Sequence, residues 1–230
     1  MSITIQKQTG LTGNQLKILA MIAMTCDHVG LQLFQQAVWL RWIGRLALPI
    51  YAYMIAEGCR HTRNRKRYLL RLVSMAALCQ AVYFFAMGSL YQCILVTFSL
   101  SILVICAVEN VQKKKSPASA VLAVVTLGIA LFVCELLPKL LPGTDFYVDY
   151  GFVGVMLPAL VYFSQEKTKY LAAGLFLLGF VYRGVQWWAL AAVPLLGMYN
   201  GQRGKGSLGP VFYWYYPLHL AVIYGIGLLI

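Results

Sequence analysis

Residues Leu16–Phe34 read LKILAMIAMTCDHVGLQLF, an apolar run opened by Lys17 and interrupted near its middle by Asp27-His28. Its length and lack of two-residue alternation give a membrane-spanning helix. Ionisable groups inside such a span are costly, which makes them a functional hypothesis by default. Lys17 and His28 stand eleven residues apart; at about 100° per residue both lie on one helix face, roughly 16 Å apart along the axis. Asp27 falls one step round, away from His28's face. A cation at one end of a face and an imidazole at its middle suit a long anionic ligand whose reactive end lies in the membrane.

The rest of the chain has the same character. Its 230 residues are 60% hydrophobic and 11% charged, with a mean hydropathy of +0.72. These values indicate an integral membrane protein with no room for a sizeable soluble domain. The apolar stretches are helical in length and pattern, so the expected fold is all-α, a polytopic transmembrane bundle forming a single domain over residues 1–230. The net charge of +12 concentrates in short loops, which reads as membrane orientation with anionic lipid as partner, and not as nucleic-acid binding. The polar start, MSITIQKQTGLTGNQ, has no small-residue cleavage site of a removable signal peptide. Six cysteines, at positions 26, 59, 79, 93, 106 and 134, lie in or beside apolar segments without metal-like pairs. They read as reduced packing residues, and no metal is expected.

Nine spans are expected: Asn14–Gln36, Leu40–Cys59, Tyr68–Met87, Leu90–Val111, Ala118–Leu137, Val148–Phe163, Tyr170–Tyr182, Trp187–Tyr199 and Val211–Ile230. The seventh and eighth are short and can form one broken unit around Arg183-Gly184. Lys and Arg cluster after every even-numbered span: Arg60–Arg67, Lys113–Lys115, Lys167 with Lys169, and Arg203 with Lys205. The N-terminus is therefore expected inside and the C-terminus outside.

Counting rise along these spans gathers the polar residues at two depths. Asp27, His28, Arg45 and His219 fall near the bilayer middle, and Lys17 and Glu57 near the inner end. Asp27 and Arg45 read as an ion pair. Pro217 can open space beside His219 by freeing a helical carbonyl. Tyr213–Tyr216 read as an interfacial belt with a ligand-stacking alternative, and Gly151 and Gly154 as close packing points. The run CRHTRNRKRYLLRL can bind anionic lipid or clamp phosphates, since arginine pairs with them bidentately.

LTGNQLKILAMIAMTCDHVG, WLRWIGRLALPIYAYMIAEGCRHTRNRKRYLLRL, DYGFVGV and FYWYYPLHL together resemble the conjugal-transfer TraX family over nearly the whole chain. That family is described as the N-terminal acetylase of conjugative pilin. It is similar in turn to membrane acyltransferases that modify cell-surface sugars, which carry an arginine, ten residues and a histidine in the first helix. Here Lys17 stands at the arginine's place, without its guanidinium fork, and His28 matches the histidine. The resemblance implies a multi-pass acetyltransferase of the bacterial cytoplasmic membrane that takes acetyl-CoA as donor, compatible with a homo-oligomer. The acceptor stays open among a peptide amine, a surface glycan, a lipid-linked sugar and a small metabolite. His28 would be the base, with Asp27 and Arg45 beside it. Lys17, Arg60, Arg63, Arg65 and Arg67 would hold the CoA phosphates, and His219, Glu57 and Tyr216 would serve the acceptor or a second proton. Two other classes fit the same composition. A proton-coupled transporter or flippase would use mid-membrane Asp, His and Arg but predicts an inverted repeat, and none is visible. A noncatalytic assembly factor would need no depth-matched titratable groups.

Overall fold

The computed structural model describes residues 10–206 and 208–229, whose elements are helices joined by loops, with isolated bridges besides. The polar N-terminal nine residues, with the reading of them as lacking a signal peptide, lie outside it. Helix α1 spans Gly13–Gln32. Thr12 caps it: its hydroxyl accepts from the Gln15 N–H while the Gln15 side chain returns to the Thr12 N–H, closing two of the donors a helix start leaves open.

The expected second span is two helices, α2 (Val38–Gly44) and α3 (Ala47–His61), separated at Arg45-Leu46. Pro49 in the first turn of α3 explains the break, because it has no N–H to continue the ladder from α2. Nearly every residue of α3 from Ala47 to Cys59 is buried. A helix apolar on all sides belongs in the middle of a bundle, and α3 packs there against α1, α5 (Ile94–Lys114) and α8 (Gly151–Phe163).

Helices α4 (Arg65–Met87), α5 (Ile94–Lys114) and α6 (Pro117–Leu131) follow. α6 runs on through a π turn, Phe132–Leu136, into the short α7, Leu137–Leu140. Pro138 accounts for the widened turn, since it cannot donate to the preceding helical turn. Arg65–Phe85, Ile94–Lys114 and Pro117–Leu140 are each long and apolar enough to cross a membrane, by length and composition. Their outward faces carry large apolar side chains such as Val121, Val124 and Phe85, as a lipid-facing surface requires. The protein is a membrane protein.

Beyond α9 (Lys167–Tyr182) the chain turns at Arg183 and Gly184, both at positive φ. A 3₁₀ segment, Gly184–Ala191, leads to the short α10, Ala192–Gly197; the break at Arg183-Gly184 lies where the sequence placed it. Helix α11, Gly209–Gly227, then packs on α1 and α4. Outside the bundle Asp145 joins two loops, accepting from the Ser89 hydroxyl and the Leu90 N–H, which hold its carboxyl below the usual carboxylate range. All six cysteines are free.

Close approach of α1 and α2 depends on Gly44. A β-carbon there would sit 2.7 Å from the Asp27 Cα and collide with its side chain. Gly44→Ala is expected to lower the unfolding midpoint by an overpacking penalty of about 1–3 kcal/mol. Gly128→Ala, with no atom within 4 Å of the new carbon, should be neutral or slightly stabilising. Thermal unfolding of the two purified proteins tests the contrast.

Candidate active site

A cavity of about 720 Å³ runs between α1, α3, α4, α5 and α11. Along α1 it extends from Gly13 past Lys17 to Met24, roughly 16 Å of helix at 1.5 Å per residue. One end is basic: Lys17, Arg63, Arg67, Arg71 and Arg203 all line it. The other end is apolar, with Met24, Phe98, Ile94 and Leu95, and Tyr216 lines the cavity as well. Glu57 is the carboxylate in this lining, but it is taken up by Arg60 and Lys167, each at 2.9 Å. The cavity therefore carries an excess of positive charge at one end. Lys17 places its ammonium 5.1 Å from the centre of the Phe212 ring, a cation–π contact that fixes the side chain at the lining.

Two of the expected phosphate ligands are turned elsewhere. Arg60 donates to the carbonyls of Val161, Tyr162 and Ser164 at the end of α8, where a helix leaves acceptors unpaired. Arg65 binds Glu109, the Tyr162 hydroxyl and the Cys59 carbonyl. Both arginines tie helices together, and neither lines the cavity. Arg71 and Arg203 line it instead. Arg71 was legible as the next turn of α4 after Arg67; Arg203 lies in the glycine-rich loop GQRGKG, whose carbonyls at Gln202 and Arg203 are gripped by the first N–H groups of α1.

Beyond Tyr216 stand the two mid-depth histidines, which do not line the cavity themselves. The T-shaped Tyr216 ring lies 6.4 Å from that of His28 and 5.4 Å from that of His219. His219 Nδ1 is 2.9 Å from the Tyr215 carbonyl, and a carbonyl only accepts, so this nitrogen carries hydrogen. His219 Nε2 of the neutral ring is then a bare acceptor. It faces His28 Nδ1 at 3.2 Å, and the same His28 nitrogen faces the Met24 carbonyl at 2.9 Å. Both neighbours accept, so His28 Nδ1 also carries hydrogen. The basic lone pair of His28 is therefore on Nε2. A histidine oriented through Nδ1, with Nε2 unpaired among the described residues, has the arrangement a general base requires.

Asp27 and Arg45 meet in an ion pair, as expected. Arg45 also donates to the Tyr150 hydroxyl and to Gln186 Oε1, partners that sequence order does not bring near it. Asp27 thus faces α2 while its neighbour His28 faces α11. Of the Tyr213–Tyr216 run, Trp214 is exposed and Tyr216 buried, so only part of it is available as an interfacial belt. A β-carbon on Gly154 would meet Tyr150 Cβ at 2.6 Å and Thr97 Cγ2 at 3.2 Å, which makes it a true contact point of α8 with α5.

Residues 12–227 match the TraX protein family. The chain belongs to the TraX family. Among curated relatives of this TraX chain is the "probable fimbrial assembly protein FimC, serogroup H1" of Dichelobacter nodosus. It is 26% identical across 91% of this chain and 93% of its own length. An uncharacterized protein of Rickettsia prowazekii is 50% identical, but over only 38 residues, 16% of this chain and 15% of its own. No solved structure matches.

Proposed function

We propose that this TraX protein is a membrane acetyltransferase. It would move an acetyl group from cytoplasmic acetyl-CoA to an amine or hydroxyl acceptor at or across a bacterial cytoplasmic membrane. The observation that carries the reading is the cavity itself: cationic at one end, apolar at the other, and ending one ring short of an oriented histidine. Its length along α1 suits a pantetheine arm, and its charge suits phosphates. In this reading the chain forms one domain of nine spans with the N-terminus inside, so the basic mouth opens toward the compartment where CoA is made. Lys17, Arg63, Arg67, Arg71 and Arg203 hold the donor's phosphates, and the thioester lies toward Met24 and Tyr216, with a small movement of Tyr216 admitting it to His28.

The acceptor's N–H or O–H gives its proton to His28 Nε2 as its nitrogen or oxygen attacks the thioester carbonyl. The resulting tetrahedral oxyanion collapses, the C–S bond breaks, and the CoA thiolate recovers the proton from the imidazolium. His219 holds the His28 ring by accepting from Nδ1. Arg45, its Nη atoms engaged by Asp27, Tyr150 and Gln186, supplies fixed positive charge toward the oxyanion. The name of the Dichelobacter relative adds support to an exported fibre subunit as acceptor; surface glycans and lipid-linked sugars belong to the same chemistry.

Acetyl-CoA binding by the purified protein tests the donor half. Arg71→Gln and Arg203→Gln should each raise KM for acetyl-CoA about tenfold, more at low salt, with kcat held, because each removes one phosphate partner. An unchanged KM in both would mean the phosphates lie elsewhere. Mass comparison of surface polymers and exported peptides between wild-type and deletion strains tests the acceptor half. One fraction should lose an acetyl-sized increment, and no difference in any fraction would favour a transporter.

A further inference from the structure

The Asp27–Arg45 pair sits in a cluster whose hydrogen bonds do not close. Asp27 Oδ1 accepts from Arg45 and lies 3.5 Å from Arg41 Nε. Arg45 Nη1 reaches Gln186 Oε1 at 3.2 Å. That contact fixes the amide, since the flipped orientation would point donor at donor. Three buried nitrogens are left without a partner among the described residues: Arg41 Nη1, Arg45 Nε and Gln186 Nε2. They belong to side chains that already touch the same carboxylate or one another. Gln186 is only 3% exposed and Arg45 8%, a setting in which polar groups are nearly always paired.

All three are donors. Asp149, a second carboxylate within electrostatic reach of Arg45, hydrogen-bonds Tyr91 and the Tyr150 backbone, so it does not take them. A group that completes the cluster must accept several bonds. Carboxylates and phosphates do this, and guanidinium groups favour them over neutral acceptors. Arg41 is the least buried of the three, with 22% of its side chain exposed, and gives the cluster a side open to the exterior. Trp42 and Trp188 stack at 4.9 Å beside it, locking α2 to the 3₁₀ segment that carries Gln186.

We propose that Arg41, Arg45 and Gln186 form a subsite for an oxyanion, carboxylate or phosphate, borne by the acceptor. Its assignment to the acceptor rests on the acetyltransferase reading; the anion site itself does not. Asp27 and His28 are consecutive on α1, so their Cα atoms are about 3.8 Å apart and the subsite adjoins the base. An acceptor whose anionic group and nucleophile are separated by a few bonds can occupy both. The donor cavity lies on the other side of His28, toward Met24, so the two substrates approach from different sides.

The test is thermal unfolding of the purified full-length protein in detergent, followed by tryptophan fluorescence. Sodium phosphate and sodium acetate are compared with sodium chloride at equal ionic strength. Phosphate or acetate is expected to raise the midpoint by about 3 °C over chloride, and whichever is stronger identifies the oxyanion. The shift should persist in Arg71→Gln, which alters only the cavity. It should fall by at least half in both Arg41→Gln and Gln186→Leu, and the second carries the test if the first does not fold. No shift above chloride in the wild-type protein would mean that water completes the cluster. A shift undiminished in either variant, or abolished by Arg71→Gln, would place the anion elsewhere. Each of these results overturns the subsite. No turnover is required, so a protein without transferase activity that keeps an Arg41-dependent shift would sink the acetyltransferase reading and leave the subsite standing.

Discussion

His28→Ala protein is expected to keep its affinity for acetyl-CoA and to lose acetyl transfer by about 10²–10⁴-fold, the range of a positioned general base. The expectation follows from the protonation pattern. Two acceptors on Nδ1, the Met24 carbonyl and His219 Nε2, leave Nε2 as the base. His219→Ala should cost less, because the Met24 carbonyl still holds Nδ1. His219→Asn should restore part of the loss, since an amide oxygen can accept from His28. Transfer to a proven acceptor, measured as CoA release with equal amounts of folded protein, decides the matter. Full activity in the His28 variant would remove it from the chemistry.

The second large effect is on stability. Asp27→Leu strands the Arg45 guanidinium at 8% exposure, and losing one partner of a buried pair costs about 3–5 kcal/mol. Pairing it with Arg45→Met removes the stranded charge, and most of the loss should be recovered. The four midpoints of this cycle, read in one detergent, give the coupling directly. If the double variant is as unstable as the two single losses added together, the pair makes no specific contribution and the cluster owes its cohesion to Tyr150 and Gln186.

Where the fold was legible, helical rise and charge placement made it so. Counting 1.5 Å per residue from the edges of the apolar runs was enough to put His28, His219, Asp27 and Arg45 at one level and to pair Asp27 with Arg45. Glu57 and Lys17 meet in one cavity for the same reason. Azimuth was not legible. Depth says nothing about which way a side chain points once a helix is rotated by its neighbours, and so Arg60 and Arg65 were read with the phosphate ligands although they cap and brace α8 and α5. The division of the second span at Arg45-Leu46 was hidden because apolar residues continue on both sides of Arg45, although Pro49 marks it. Gln186 could not be found at all. A neutral amide in a 3₁₀ segment has no periodicity to betray it, and only the bond from Arg45 gives it meaning.

The histidine contact joins residues 191 positions apart. At a synthesis rate of about 5–20 residues per second, His28 waits roughly ten to forty seconds in the membrane before His219 is made. Over that interval the emerging chain holds its donor-side lysine and its base but lacks Tyr216, a ring of the cavity lining, and the acceptor for His28 Nδ1. In the acetyltransferase reading, transfer therefore waits until α11 has docked on α1. In that reading, the placement of half the histidine pair so late makes catalytic competence a report on a completed fold.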